Sequence, residues 1–252
     1  MLNETTINKL NDMRLRAMAN SFREQTSNPG MANLTFEERF GLVVDAEWSR
    51  RKNNHLMRLI KKAGFKYPQA CVEDIEYHAD RNLDQAHIMR LATCNYIRDK
   101  HNVIIMGAAG AGKTYIGSAL GISACRSFFS TRYIRLPELL TELAIARGNG
   151  TYKQVVATYK KVSLLILDEW LLVPLNITES RDLLEIIEAR HQQASTIFIS
   201  QFAPAGWHAN LNESTIADAI LDRIVYDSYE ILIGGKDSMR KRKGVKKKDC
   251  AS

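Results

Sequence analysis

Cysteine is scarce in this chain, and its placement excludes two kinds of chemistry. The four cysteines, Cys71, Cys94, Cys125 and Cys250, form no C-x-x-C pair and have no matched histidines, so neither a zinc site nor a disulfide framework is expected. No run of 18 apolar residues occurs, which argues against a membrane span. The first twenty residues mix polar and charged side chains and lack the apolar core of a secretory signal, so the chain is expected to stay in the cytoplasm. There is no internal repeat of solenoid or propeller period.

Charge is unevenly distributed. The formal net charge is +7 over 252 residues, yet 240–252 alone holds seven Lys and Arg against one Asp, leaving a nearly neutral body. Within that body, Ser49 to Lys62 gathers Arg50, Arg51, Lys52, Arg58, Lys61 and Lys62 with no acid. A third basic stretch runs from Arg147 to Lys153, followed by Lys160 and Lys161. Such local patches suit phosphate-backbone contacts that do not read base sequence. The residues taken as DNA contacts are Arg50, Arg51, Lys52, Lys153, Lys160 and Lys161.

The most informative segment is Gly107-Ala108-Ala109-Gly110-Ala111-Gly112-Lys113-Thr114, preceded by the apolar run Val103 to Met106 and followed by a helical pattern from Tyr115 to Phe129. A buried strand, a glycine-rich turn and a helix N-terminus together aim backbone N–H groups and a partial positive charge at a phosphate. Gly107 through Tyr115 are therefore expected to hold a nucleotide, with Lys113 on the β- and γ-phosphates and the Thr114 hydroxyl on Mg²⁺. A second apolar run, Val162 to Leu167, ends in Asp168-Glu169. An Asp at the carboxyl end of a buried strand can hold the metal through its water shell, and the next carboxylate can polarise an attacking water. A third run, Thr196 to Ile199, ends in Ser200-Gln201, polar groups placed to sense the γ-phosphate.

Thr131–Leu136 and Tyr229–Ile233 supply two more strands, and Pro137 opens a helix through Arg147. Five strands separated by helices predict a three-layer α/β/α fold on a parallel sheet. Before it, the spacing predicts three helices: Asn8 to Glu24, a second opened by the capping box Thr35-x-x-Glu38 and running through Arg50, and His55 to Ala63. The expected organisation is a helical domain over 1–65, a core over 66–239 and a basic tail over 240–252.

GAAGAGKT, LLILDE, TIFISQ, ADAILDRI and GKDSMRKR, in this order and spacing, resemble the IstB-like transposition helper ATPases of bacterial insertion sequences, neighbours of the DnaC-like helicase loaders in the AAA+ initiator group. The resemblance implies an AAA+ core without a full C-terminal lid and ATP with Mg²⁺ as cofactors. It implies Arg223 as an arginine finger acting in trans and Arg240 as the second sensor. It departs from the many AAA+ proteins that carry Asn at the first sensor, where this chain offers Ser200 and Gln201. The implied activity is ATP hydrolysis by a homo-oligomer that assembles on duplex DNA, with the basic stretch near Lys153 lining its inside, and that recruits a transposase. The alternative is a replicative helicase loader. A P-loop small-molecule kinase is disfavoured by the Asp-Glu pair and the late arginine.

Overall fold

The computed structural model describes residues 2–235 and 238–243, and divides the chain into two compact units, Met1–Arg58 and Leu59–Ser252. The first unit is helical. Helices α1 (Leu2–Asp12) and α2 (Arg16–Ser27) are followed by α3 (Phe36–Ala63), which continues beyond the unit. Where the periodicity suggests one helix over Asn8–Glu24, the chain breaks at Met13–Leu15 with Arg14 at φ 61°. Conversely, the expected gap between Arg50 and His55 is helical, because Arg51-Lys52-Asn53-Asn54 contains no glycine or proline to stop a helix already nucleated. The Thr35 capping box forms as the sequence suggests: Thr35 N–H donates to Glu38 Oε2 at 2.8 Å and Glu38 N–H to Thr35 Oγ1 at 3.2 Å. Ile7, Ala19 and Val43 make the unit's small apolar centre. Beside them the buried carboxylate of Glu47 accepts from Ala17 N–H, Arg50 and Arg51.

The second unit is built on five parallel strands, β1 (Asn102–Gly107), β2 (Thr131–Arg135), β3 (Leu164–Asp168), β4 (Ser195–Ser200) and β5 (Ser228–Ile233), in the order β2-β3-β4-β1-β5. Continuous apolar runs become the central strands because both sheet faces are covered. On one face lies α6 (Lys113–Arg126), whose small side is explained by contact: a Cβ on Gly117 or Gly121 would collide with Ile199 or with Phe65 and Ile166. The other face, Ile104, Leu165, Leu167 and Phe198, packs with α7 (Leu136–Gly148), α8 (Tyr152–Lys161), α9 (Ile177–Arg190) and α10 (Ser214–Val225) into the main core. Full burial of a Leu or Ile side chain contributes about 1.5–3 kcal/mol, so these two layers hold the sheet. Trp170, Phe198 and Trp207 form an edge-on aromatic cluster beneath the ends of β3 and β4. The chain before β1 adds α4 (Gln85–Ala92) and α5 (Asn95–Arg98), and α11 (Met239–Lys243) follows β5.

Register decides where the chemistry sits. Met106 pairs with Ser200, Leu167 with Phe198, and Arg135 with Asp168, so the carboxyl ends of β1, β2, β3 and β4 line up along one edge. That edge, where the strand order reverses direction around β1, is the ligand-binding side of an open parallel sheet. Among the described residues no helix is long and apolar enough to cross a membrane.

Candidate active site

The phosphate loop leaves β1 at Gly107 and enters α6 at Lys113, passing through Ala108, Ala109, Gly110, Ala111 and Gly112. Gly110 shows why its residue type is needed. Its φ of +78° is left-handed, and a Cβ there would lie 2.7 Å from Ser238 Cβ. Lys113 is buried at the helix start, and its Nζ donates to Gly107 O at 2.7 Å and Ala108 O at 2.9 Å. Burial pushes the Lys113 ammonium below its usual pKa while the charge of Asp168 opposes the shift. A cation folded back over its own loop can exchange those carbonyls for phosphate oxygens.

Thr114 Oγ1 donates to Asp168 Oδ2 at 2.8 Å, which joins the helix start to the end of β3. The same oxygen accepts from Tyr133 on β2 at 2.7 Å, and Oδ1 accepts Glu169 N–H at 2.8 Å. Burial and the neighbouring Asp168 charge raise the Tyr133 phenol far above its usual range, so it stays a donor at any working pH. A hydroxyl and a carboxylate at this separation are the hard oxygen donors that Mg²⁺ takes, and among the described residues no cluster of three His, Cys, Asp or Glu competes for a metal.

Glu169 follows with φ +57°, a left-handed turn that swings its carboxylate away from the strand. There it meets a residue that the sequence reading did not single out. Arg135, the last residue of β2, grips Glu169 with two bonds, Nε to Oε1 at 2.9 Å and Nη2 to Oε2 at 2.7 Å. An arginine closing a strand beside the acidic strand end was the available signal. Arg81 is another such residue. Its guanidinium is buried and donates to Glu76 O and, at 2.8 Å, to Ala111 O, while its own carbonyl accepts Gly234 N–H. It therefore ties the phosphate loop to the chain after β5.

Ser200 and Gln201 separate in the structure. The Ser200 hydroxyl donates to Trp170 O at 3.0 Å and accepts from Phe202 N–H and Trp207 Nε1, each at 3.1 Å, which uses its whole hydrogen-bonding capacity. Gln201 is exposed at the same strand end. Tyr115 takes Cys71 N–H on its hydroxyl at 3.4 Å and faces Tyr67 at a ring distance of 5.9 Å. Tyr67, Ile75, Arg81, Gly112, Lys113 and Met239 are among the residues lining a cavity of about 270 Å³ that adjoins the phosphate loop.

The other expected residues lie elsewhere. Arg223 on α10 donates to Ala219 O and to Glu188 rather than to the phosphate loop of its own chain. The side chain of Arg240 lies outside the described residues, as does the tail from 244 onward. Arg50 and Arg51 are both bonded to Glu47, Lys52 lies 4.4 Å from the Trp48 ring centre, and Lys160 pairs with Glu185 at 2.9 Å. Lys153 and Lys161 are exposed on α8. The two N-terminal arginines therefore share the buried Glu47 carboxylate, and the Arg51 side chain is 60% exposed beside it.

Residues 8–247 match the family model described as IstB-like ATP binding protein. The chain belongs to that family. An insertion sequence ATP-binding protein of Sinorhizobium fredii, y4pL, is 40% identical over 243 residues, 96% of this chain and 99% of that one. The IS1162 ATP-binding protein of Pseudomonas fluorescens is 41% identical over 201 residues, covering 80% and 87%. Among solved structures, DnaI superposes with a TM-score of 0.58 at 23% identity, covering 66% of this chain and 91% of its own. The fold is that of the AAA+ P-loop proteins, and this IstB-like chain is an ATP-binding ATPase.

Proposed function

We propose that this IstB-like protein is an ATP-dependent transposition helper of an insertion sequence, which assembles head to tail on duplex DNA, remodels it, and recruits or activates the transposase. The observation that carries the reading is the Thr114–Asp168 contact at the strand ends with Glu169 as the next residue. It supports hydrolysis rather than mere nucleotide holding, and the insertion-sequence names of relatives at 40% and 41% identity support the biological setting.

In this reading Gly107 to Tyr115 cradle the nucleotide, Lys113 meets its terminal phosphates, and the purine lies in the cavity beside Tyr67 and Ile75. Thr114 and Asp168 hold Mg²⁺, which when bound neutralises charge on the phosphates. Glu169, once released from Arg135, accepts a proton from the attacking water, and Gln201 beside the committed Ser200 orients that water. Arg223 of a neighbouring copy reaches the γ-phosphate, which its place away from its own phosphate loop favours, and Arg240 serves as second sensor. A head-to-tail contact of this kind makes rings or helical filaments. Duplex DNA is met by Lys153, Lys160 and Lys161 and by Arg50, Arg51 and Lys52. The working division is 1–65, 66–239 and 240–252, in the cytoplasm.

Pull-down of the insertion sequence's own transposase and of a replicative helicase, each with and without an ATP analogue and duplex DNA, tests this. Retention of the transposase only with nucleotide and DNA supports the helper, whereas capture of the helicase instead would make the protein a helicase loader.

A further inference from the structure

Arg81 closes a single turn, Ala79–Arg81, on the chain that leads into α4, and its guanidinium is buried beside the phosphate loop. Among the described residues its side chain bonds main-chain oxygens, Glu76 O and Ala111 O, the second at 2.8 Å. The neighbouring carboxylates of Asp80 and Glu76 bond Arg242 and His78 instead. Burial pulls the Arg81 pKa below its ordinary value, and the charges of Glu76 and Asp80 only partly oppose that. A guanidinium kept this way costs the fold free energy until an anion joins it.

The contact with Ala111 has a direction. In a trans peptide the C=O and the N–H of the next residue point opposite ways, so holding Ala111 O against Arg81 turns Gly112 N–H away from Arg81. Gly112 permits the close approach, because its φ is +93° and a Cβ there would lie 3.0 Å from Arg81 Nη2. The preceding carbonyl is also held from outside the loop, where Met239 N–H donates to Gly110 O at 2.9 Å. Lys113 holds Gly107 O and Ala108 O, and it is the donor that a phosphate draws off. Arg81 has no such call to let go. Its own turn is anchored twice, by Gly234 N–H on Arg81 O at 2.8 Å and by the grip of Arg242 on Asp80.

We infer that Arg81 is a positioning residue for nucleotide binding: by holding Ala111 O on the outer side of the loop it aims Gly112 N–H at the phosphates. The inference rests on the reading of 107–115 as the phosphate cradle and adds to it a residue from outside that segment. The guanidinium charge lies behind the Ala111–Gly112 peptide and adds to the positive field that Lys113 supplies. Backbone N–H groups of such a loop meet the α- and β-phosphates, which ATP, ADP and inorganic tripolyphosphate can all present. Arg81 therefore sets affinity for all three alike and leaves the chemical step alone.

The test is equilibrium binding of ATP, ADP and tripolyphosphate to the full-length protein, by competition with a fluorescent ATP analogue, beside steady-state hydrolysis. Arg81→Met should weaken all three by the same factor, about twentyfold or more, while kcat at saturating ATP stays within about twofold. Arg81→Lys keeps the charge and a donor and should lose only about fivefold. It carries the same comparison if circular dichroism without nucleotide shows that Arg81→Met does not fold. Loss for ATP and ADP but not tripolyphosphate would place Arg81 on the base or ribose, and loss for ATP alone would place it at the γ-phosphate. Wild-type affinity in both variants would leave it a fastening of the fold. Each of these results overturns the inference. Lys113→Ala tells its failure from that of the site: if that variant binds ATP like wild type the cradle itself is misplaced, and if it binds none while the Arg81 variants bind normally, only the role of Arg81 falls.

Discussion

Arg135→Gln should make the enzyme faster when no partner is present. In the structure the Arg135 guanidinium holds both oxygens of Glu169, at 2.9 and 2.7 Å, and also bonds Glu138 at 3.1 Å. These carboxylate contacts keep the arginine's pKa raised. A carboxylate gripped in this way has both oxygens committed to the guanidinium, so opening the grip turns them toward a water. The Arg135 and Glu169 side chains are 40% and 27% exposed, so water screens the pair, and about 1 kcal/mol is a fair value for a bidentate contact so placed. Since RT is about 0.6 kcal/mol, removing it should raise the competent fraction of Glu169, and with it kcat, by about fivefold. Phosphate release measured beside equilibrium binding of a fluorescent ATP analogue separates the two effects: turnover rises and affinity stays within about twofold. High salt should narrow the gap by loosening the wild-type pair. A variant that binds ATP normally but hydrolyses as slowly as Glu169→Gln would refute the reasoning, because Arg135 would then be positioning Glu169 in the working state.

Lys113→Ala should abolish ATP binding, since the phosphate loop loses its buried ammonium; equal affinity in a titration would remove the basis of the site. If Arg223 acts in trans, Arg223→Ala should bind ATP yet hydrolyse little, and mixing it with Glu169→Gln chains should recover activity at interfaces that pair an intact Glu169 with an intact Arg223. No recovery in mixed assemblies would place the arginine's role in its own chain. In the N-terminal helices, hydrogen bonds and charge from Arg50 and Arg51 and the Ala17 N–H hold Glu47 near a pKa of about 2 against the raising effect of burial, from an ordinary value of 4.5. Its stabilisation is therefore present above pH 4.5 and fades as pH falls toward 2. The wild-type helical signal should show extra acid sensitivity across that window that Glu47→Gln lacks, and superimposable pH curves would contradict it.

The strands that carry the site were legible because each is a short apolar run ending in its own chemistry: Met106 before Gly107, Leu167 before Asp168, Ile199 before Ser200. Their pairing was less so. Arg135 gains its role only because β2 lies beside β3 in a register that sets it opposite Asp168, a relation between residues 33 apart that no local pattern contains. Ser200 reads as a free polar strand end until Trp170 and Trp207 close around its hydroxyl. Arg81 ends a single 3-10 turn, Ala79–Arg81, too short to show periodicity, so its burial against Ala111 had no sequence sign. In the N-terminal region the capping box fixed the start of α3, but the break at Arg14 has no glycine or proline to announce it.

The central claim is that ATP on the β1–β3 edge controls assembly on DNA, and electron microscopy of Glu169→Gln on duplex DNA tests it most directly. With ATP and Mg²⁺ this variant should form ordered assemblies that outlast those of the wild type, while Lys113→Ala forms none. Binding to that DNA should fall steeply with salt, with a log–log slope of about −5 for roughly six phosphate contacts per bound unit. Assemblies that form equally with and without ATP, or equally in both variants, would contradict the account.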